Sequence, residues 1–464
     1  MAETERKQDE KLGTAPLGRL IFSLAIPAVI AQLINVVYNL VDRIYIGHIP
    51  DVGAQALTGL GLSLPVILLI QAFSALAGMG GAPQASIQLG KGDRNAAEKI
   101  LGNSVTMLIV FTVILTAGLY LFKTPLLYLF GASDSTIVFA EDYLNIYLVG
   151  TVFVMAYQGL NMYISCQGFA KTAMFSVLIG AVLNIGLDPL FIFGLHMGIK
   201  GAALATILSQ AVSAAWVLRS AVWVVTFLLG KKTGLKIRKC NLRLNSKTAG
   251  GILALGISPF IMQSTESLIT IVLNRGLQQY GGDLYVGTLT ILQSVMQLIV
   301  IPVNGFSQGA QPIISYNYGA RKIARVRNTF LIALAIIWGF SFVFTGTVIL
   351  FPHLFAGMFT SNPQMLDLAV AKLPVFLVGL LIFGVQMTCQ STFMGLGKAK
   401  ISLFIALWRK VILLIPLAII LPRFFGVDGI YWSEPIADTI SALTAGALFF
   451  LTVWRKELKF QKEK

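Results

Sequence analysis

Twelve apolar runs divide this chain, and each is long enough to cross a hydrocarbon layer as a helix. Such runs have few alternatives, because in lipid every backbone N–H and C=O must be satisfied internally. Continuous rather than alternating apolarity selects helices over barrel strands. The pattern predicts helices 1 to 12 at 17–48, 54–86, 97–122, 137–165, 171–194, 199–229, 248–279, 285–317, 322–351, 366–394, 400–422 and 428–454. Several exceed the roughly 20 residues a crossing needs and are expected to tilt, bend or protrude. Pro27, Pro65, Pro259 and Pro302 are the expected bend points. Only 12% of residues are charged, and the 44 glycines suit close helix approach. No cleavable leader is expected, since residues 1–14 are polar and charged and the first apolar run is too long for an h-region.

An even number of spans returns both ends to one side, and the basic residues choose that side. Segments 1–20, 87–99, 166–171, 230–247, 318–327, 395–400 and 455–464 share the face of the N-terminus and hold 26 of the 35 Lys and Arg residues. Positive loops stay cytoplasmic, so both termini are expected there, in the cell membrane. The net charge of +15 is then a record of topology, and nucleic acid is not an expected partner.

The two halves read as a tandem repeat. Gly80-x-x-Pro83 followed by Gly90 recurs as Gly309-x-x-Pro312 followed by Gly319, a shift of 229. Gly168-x-x-Lys171 recurs as Gly395-x-x-Lys398 at 227, and Gly198-x-x-Gly201 as Gly426-x-x-Gly429 at 228. Ile26-Pro27 matches Ser258-Pro259 at 232, and Asp42-Arg43 falls on Asn274-Arg275 at the same shift. Six helices per half predicts an all-α membrane protein of two lobes related by a pseudo-two-fold along the membrane normal. The expected parts are a tail at 1–16, an N-lobe at 17–229, a basic linker at 230–247, a C-lobe at 248–454 and a tail at 455–464.

Within the first half, charge appears where packing does not ask for it. Asp188 interrupts an apolar run, Pro189 follows it and removes a backbone donor, and Asn184 lies one turn earlier on the same face. An intramembrane acid marks a functional site by default. Asp42 on helix 1 and Asp188 on helix 5 both fall ~9 Å below the outer helix ends, and Thr206 on helix 6 ~10 Å. Asn35 and Tyr38 share the face of Asp42. Two acids, an amide and a hydroxyl at one depth make an oxygen-rich cage for Na⁺ or a shared proton, since neighbouring carboxylates resist ionising together. The plainer alternative has Asp42 pairing with Arg43 and Asp188 serving backbone groups freed by Pro189.

Elsewhere, Glu266 lies mid-helix among polar neighbours, as a contact for a cationic substrate or ion or as a structural acid. Arg409 and Lys410 reach the depth of Asp438 and are expected to form an interhelical ion pair, with Glu434 able to share it. Gln158 and Asn161, beside Met155, Tyr157 and Met162, are candidates to line a cleft in the first lobe. Cys166, Cys240 and Cys389 form neither a disulfide framework nor a metal cluster, and the three histidines are dispersed. No phosphate loop, zinc-protease or nucleophile-elbow motif is present, so no enzyme is expected and ATP hydrolysis by the phosphate-loop route is excluded.

Asp42 before Gly47, Asn184-x-x-x-Asp188-Pro189, Gly198-x-x-Gly201-Ala202-Ala203 leading to Thr206, and the two Gly-x-x-Pro elements together resemble the multidrug and toxic compound extrusion (MATE) transporters. The resemblance covers the chain after residue 15 and is closest to the prokaryotic DinF-like kind. It implies export of amphipathic, often cationic drugs and dyes in exchange for H⁺ or Na⁺ by alternating access, with no cofactor and a monomeric protein. The cation site it implies uses Asp42, Asn184, Asp188 and Thr206. NorM-like members also use C-lobe acids on helices 7 and 10. Glu266 fits the first, but helix 10 offers Gln386, Thr388 and Gln390 and no acid, which leaves the ion chemistry in the first half. A lipid-linked saccharide flippase of similar architecture is the first alternative, but it needs many cavity bases and only Arg219, Arg409 and Lys410 are buried in the spans. An ion channel would carry a repeated filter or a charge ring.

Overall fold

The computed structural model describes residues 11–221, 235–360 and 362–458. Its spans are α1 (Leu17–Gly47), α2 (Gly53–Gly90), α3 (Arg94–Leu129), α4 (Ile137–Val149 with Thr151–Cys166), α5 (Ala170–Pro189, continued by a π-helical turn Leu190–Gly194) and α6 (Ile199–Ala221). The second half repeats the order as α7 (Ser246–Gly281), α8 (Asp283–Gly319), α9 (Ile323–Leu350), α10 (Pro363–Leu377 with Leu380–Gly395), α11 (Ala399–Leu407 continuing through a π-helical Trp408–Leu414 into Ile415–Ile420) and α12 (Val427–Phe449). Ten single helices and two bent pairs give twelve apolar spans among the described residues. The expected end of helix 6 at 222–229, the start of the linker and the outermost tails lie outside the described residues.

Local chemistry sets several boundaries. The Asp93 side chain accepts from the Ala96 N–H at 2.9 Å and starts α3. Asn362 does the same for Met365, at 3.2 Å, with Pro363 in the first helical position. The breaks in the spans fall away from the expected proline bend points. Pro27, Pro65, Pro259 and Pro302 all lie inside unbroken helices. The bends above 40° are in α4, by 59°, and in α10, by 44°. Gly150 and Gly379 mark them, and each faces a neighbour that leaves no room for a Cβ: Ile207 in one case, the Pro435 backbone in the other. Their spacing is 229, so the repeat extends to the bends.

Backbone geometry corrects one register of that repeat. Gly168 and Gly397 both have positive φ, 86° and 71°, and each stands two residues before a helix. Gly168-x-x-Lys171 therefore corresponds to Gly397-x-x-Lys400, not to Gly395-x-x-Lys398. Gly198 and Gly426 share a φ of 57°, and Gly201 and Gly429 each press against the backbone of the preceding span, as expected.

Packing divides the described residues into two units, with the divisions inside α1 and α7. Among these, 30–221 and 235–263 fall in one unit, and 12–29 join 264–360 and 362–458 in the other. Glycine explains the exchange. In the first unit a Cβ on Gly80 of α2 would strike the Ile252 carbonyl of α7, and one on Gly256 would strike the Leu76 carbonyl. In the second, Gly309 and Gly305 of α8 press against the backbone of Ala25 and Val29 on α1. The repeated Gly-x-x-Pro elements thus let each second helix dock the beginning of the opposite half's first helix. Preceding segments fasten the docking. Arg238 of the linker pairs with buried Glu98 at 2.6 Å, and the Asn245 N–H donates to Asn103 at 2.7 Å. In the second unit the Asn317 amide donates to the Leu12 carbonyl at 2.9 Å. Gly309→Ala is expected to destabilise the protein by about 2 kcal/mol or more, as overpacking against backbone does. Gly339→Ala, where nothing lies within 4 Å, is the matched control. Thermal melting of the solubilised proteins, followed by loss of the monodisperse chromatographic peak, checks the contrast.

Candidate functional site

The first unit brings the expected first-half residues together. Asp42 of α1 and Asp188 of α5 lie within side-chain hydrogen-bonding reach. The Asn184 amide donates to Asp188 Oδ1 at 3.2 Å and to Thr206 Oγ1 of α6 at 3.4 Å. All four are buried, Asp188 completely. The i, i+4 spacing of Asn184 and Asp188 puts both on one face of α5, and the π-helical turn begins directly after Pro189. Asp42 is turned toward Asp188, while its neighbour Arg43 is exposed.

Reasoning from the sequence missed Tyr143. Its buried hydroxyl lies near Thr206 and Asp42, and its ring lies along that of Tyr147 with centroids 5.9 Å apart. It comes from the first segment of α4, whose 59° bend at Gly150 aims that segment separately from the second. Four-residue spacing of two tyrosines was the only signal, and it does not distinguish a site from a core.

Three buried oxygens in this cluster lack a partner: Asp42 Oδ1, Asn184 Oδ1 and Asp188 Oδ2. A donor set made wholly of oxygen, with two carboxylates, suits a hard monovalent cation or a proton rather than a thiophilic metal. Unpaired buried carboxylate oxygens are costly, so a positive species fits the chemistry of this cluster.

A narrow polar cavity of about 10 Å³, roughly the room one water needs, adjoins the cluster. Asn35 and Tyr38 line it as expected, with Asn184, Thr206, Tyr157, Ser209, Gln210 and Ser213. Gln158 and Asn161 are not among its lining residues. Asn161 instead ties α4 to the start of α5, donating to the Ala173 carbonyl at 3.4 Å and accepting from Ser176 at 3.1 Å.

In the second unit, five charged groups from α7, α11 and α12 form one network. Arg409 Nε meets Asp438 at 2.6 Å and its guanidinium reaches Glu434 at 3.6 Å. Lys410 departs from the expected pairing with Asp438 and takes Glu266, at 2.8 Å. Arg409 also lies 4.8 Å from the centre of the Phe383 ring. Arg409, Lys410, Glu434 and Asp438 are buried, whereas the Glu266 side chain is 53% exposed.

Twelve spans in two like halves, with carboxylates held among oxygen donors inside the spans, define a helical membrane transporter. The MatE family model matches residues 27–190 and 259–420, one block in each half. The chain therefore belongs to the MatE family of MATE transporters. It is 25% identical over 444 residues to "Multidrug export protein MepA" of Staphylococcus haemolyticus (strain JCSC1435), covering 96% of this chain and 95% of that one. To the protein of that name in Staphylococcus aureus (strain NCTC 8325 / PS 47) it is 24% identical, covering 94% of each. The fold is similar to that of a multidrug resistance MATE family transporter of the MOP superfamily in an outward-facing conformation, with a TM-score of 0.87, 23% identity, and 97% and 98% of the two chains covered. It is likewise similar to a MOP superfamily transporter from Pyrococcus furiosus Vc1, with a TM-score of 0.86, 23% identity and 95% and 97% covered.

Proposed function

We propose that this protein is a multidrug efflux antiporter of the cell membrane, exporting amphipathic, often cationic compounds in exchange for H⁺ or Na⁺ by alternating access. The observation that carries the reading is the meeting of Asp42 and Asp188, from spans far apart in sequence, with unpartnered oxygens beside Asn184 and Thr206. Either a proton or Na⁺ would relieve the repulsion of two carboxylates held together away from water. α1 contributes residues to both packing units. The multidrug export named for the staphylococcal relatives supports the substrate class. The excess of basic residues on one set of loops supports cytoplasmic termini.

Glu266 serves as the cationic substrate's contact in the second unit. Its carboxylate is exposed within a span, and a cation competing with Lys410 for it finds three carboxylates against two bases in that network. A flippase for a pyrophosphate-linked sugar is less well supported, because Arg409 and Lys410 are already committed to carboxylates.

Vesicles reconstituted with the purified protein and loaded with a cationic dye test the reading, with a Na⁺ gradient and a pH gradient imposed separately. One gradient is expected to accelerate efflux at least tenfold over protein-free vesicles, and its ionophore to abolish the effect. Efflux indifferent to both gradients would remove the antiport proposal.

A further inference from the structure

The charged network of the second unit has one open end. The Glu266 side chain is 53% exposed, whereas its partner Lys410 is 5% exposed and reaches it from the buried side, at 2.8 Å. Successive residues on a helix point about 100° apart, and α11 accordingly presents Arg409 to α12 and Lys410 to α7. Both bases lie in the π-helical segment Trp408–Leu414, a distortion found most often at functional positions.

The charges in this network do not match one to one. Glu266, Glu434 and Asp438 face only Arg409 and Lys410. Arg409 meets Asp438 closely, at 2.6 Å, and leaves Glu434 a looser contact at 3.6 Å. The charged groups near Glu434 are Asp438 on its own helix, Arg409 and Lys410 of α11, and Glu266 of α7. Of the two bases, Lys410 is the one held by another helix. A lysine carries a compact charge on a flexible four-carbon stem, so it can leave one carboxylate for another nearby. Left without an acid, a buried ammonium is strongly disfavoured. A cation arriving at Glu266 from its exposed side meets an ammonium already in the place it would take. Glu434 is the acid with room for the ammonium it displaces.

We propose that Lys410 is an internal competitor for cationic substrate, resting on Glu266 while that carboxylate is empty and moving to Glu434 when an organic cation takes it. The proposal rests on the reading of Glu266 as the substrate's contact and adds two residues to it. Lys410 sets the selection, because a neutral molecule offers Glu266 no replacement for the ammonium, whereas one positive charge brings three carboxylates and two bases to neutrality. Glu434 supports binding without touching the substrate, by receiving Lys410.

Two double-mutant cycles test it in the full-length protein. The first uses no substrate. Glu266→Gln and Glu434→Gln each leave Lys410 one carboxylate, so each is expected to lower the melting temperature only slightly. Together they strand the ammonium, and the loss should exceed the sum of the single losses. Lys410→Met is expected to restore melting in that double variant. Additive losses overturn Glu434 as the second partner of Lys410. The second cycle reads binding of rhodamine 6G, a dye with one positive charge, by fluorescence anisotropy. Lys410→Met removes the competitor and is expected to bind the dye about tenfold more tightly. Glu434→Gln is expected to bind it about tenfold more weakly than wild type, and to have no effect in the Lys410→Met background. An equal loss in both backgrounds overturns the exchange and leaves Glu434 as a fixed charge. Unchanged affinity in Lys410→Met overturns the competitor. Wild-type dye affinity in Glu266→Gln is instead a failure of the substrate reading, and the melting cycle, run without dye, tells the two apart.

Discussion

Asp188→Asn is expected to abolish ion-driven export while leaving the protein inserted at wild-type levels. The substitution keeps the side-chain shape and removes one of the two acids of the pair in the first unit. A charge-assisted contact contributes about 2–3 kcal/mol, so ion binding should weaken ~30- to 150-fold. Insertion is set by the apolar runs, which the change does not touch. Asp42→Asn should match it, because the two carboxyl groups lie in reach of one another and neither has a second acid in contact to replace it. Dye efflux from reconstituted vesicles, with ion binding measured calorimetrically, gives both numbers. Wild-type efflux in either variant would leave the pair without a transport role.

Arg409→Met is expected to damage the fold rather than the coupling. It removes the one base shared by Glu434 and Asp438, which are 5% and 2% exposed. Breaking a buried ion pair by removing one partner costs about 3–5 kcal/mol, since the remaining charges stay buried without compensation. Lys410 offers incomplete relief because it is held by Glu266. Neutralising the acids as well, in Arg409→Met with Glu434→Gln and Asp438→Asn, should recover most of the melting temperature, because the cost lies in the uncompensated charge. Recovery of stability together with ion-driven efflux in the triple variant identifies a structural network. Stability recovered while efflux stays lost would assign Arg409 to the transport cycle.

Hydrophobicity acts through length and composition, so the number of spans, their approximate limits and the gathering of basic residues on alternate loops are legible along the chain. Polar residues inside such spans are rare enough to be read singly. That is why Asp42, Asn184, Asp188 and Thr206 stood out before any contact between them was visible. Tyr143 did not stand out, since a tyrosine among apolar residues is as ordinary in a core as in a site.

What the tertiary structure alone decided depends on space between helices. The breaks in α4 and α10 fall at Gly150 and Gly379, where Ile207 and the Pro435 backbone approach too closely for a Cβ, whereas Pro27, Pro65, Pro259 and Pro302 remained inside continuous helices. Gly80 and Gly309 assigned the beginnings of α7 and α1 to the units that hold them, through backbone contacts between residues far apart in sequence. Lys410 chose Glu266 over Asp438 by the same kind of cause, the position of a neighbouring helix. Apolar length is a property of a segment alone and survives in the sequence. A bend, a pairing or a cavity is a property of two surfaces at once, and it exists only when both are in place.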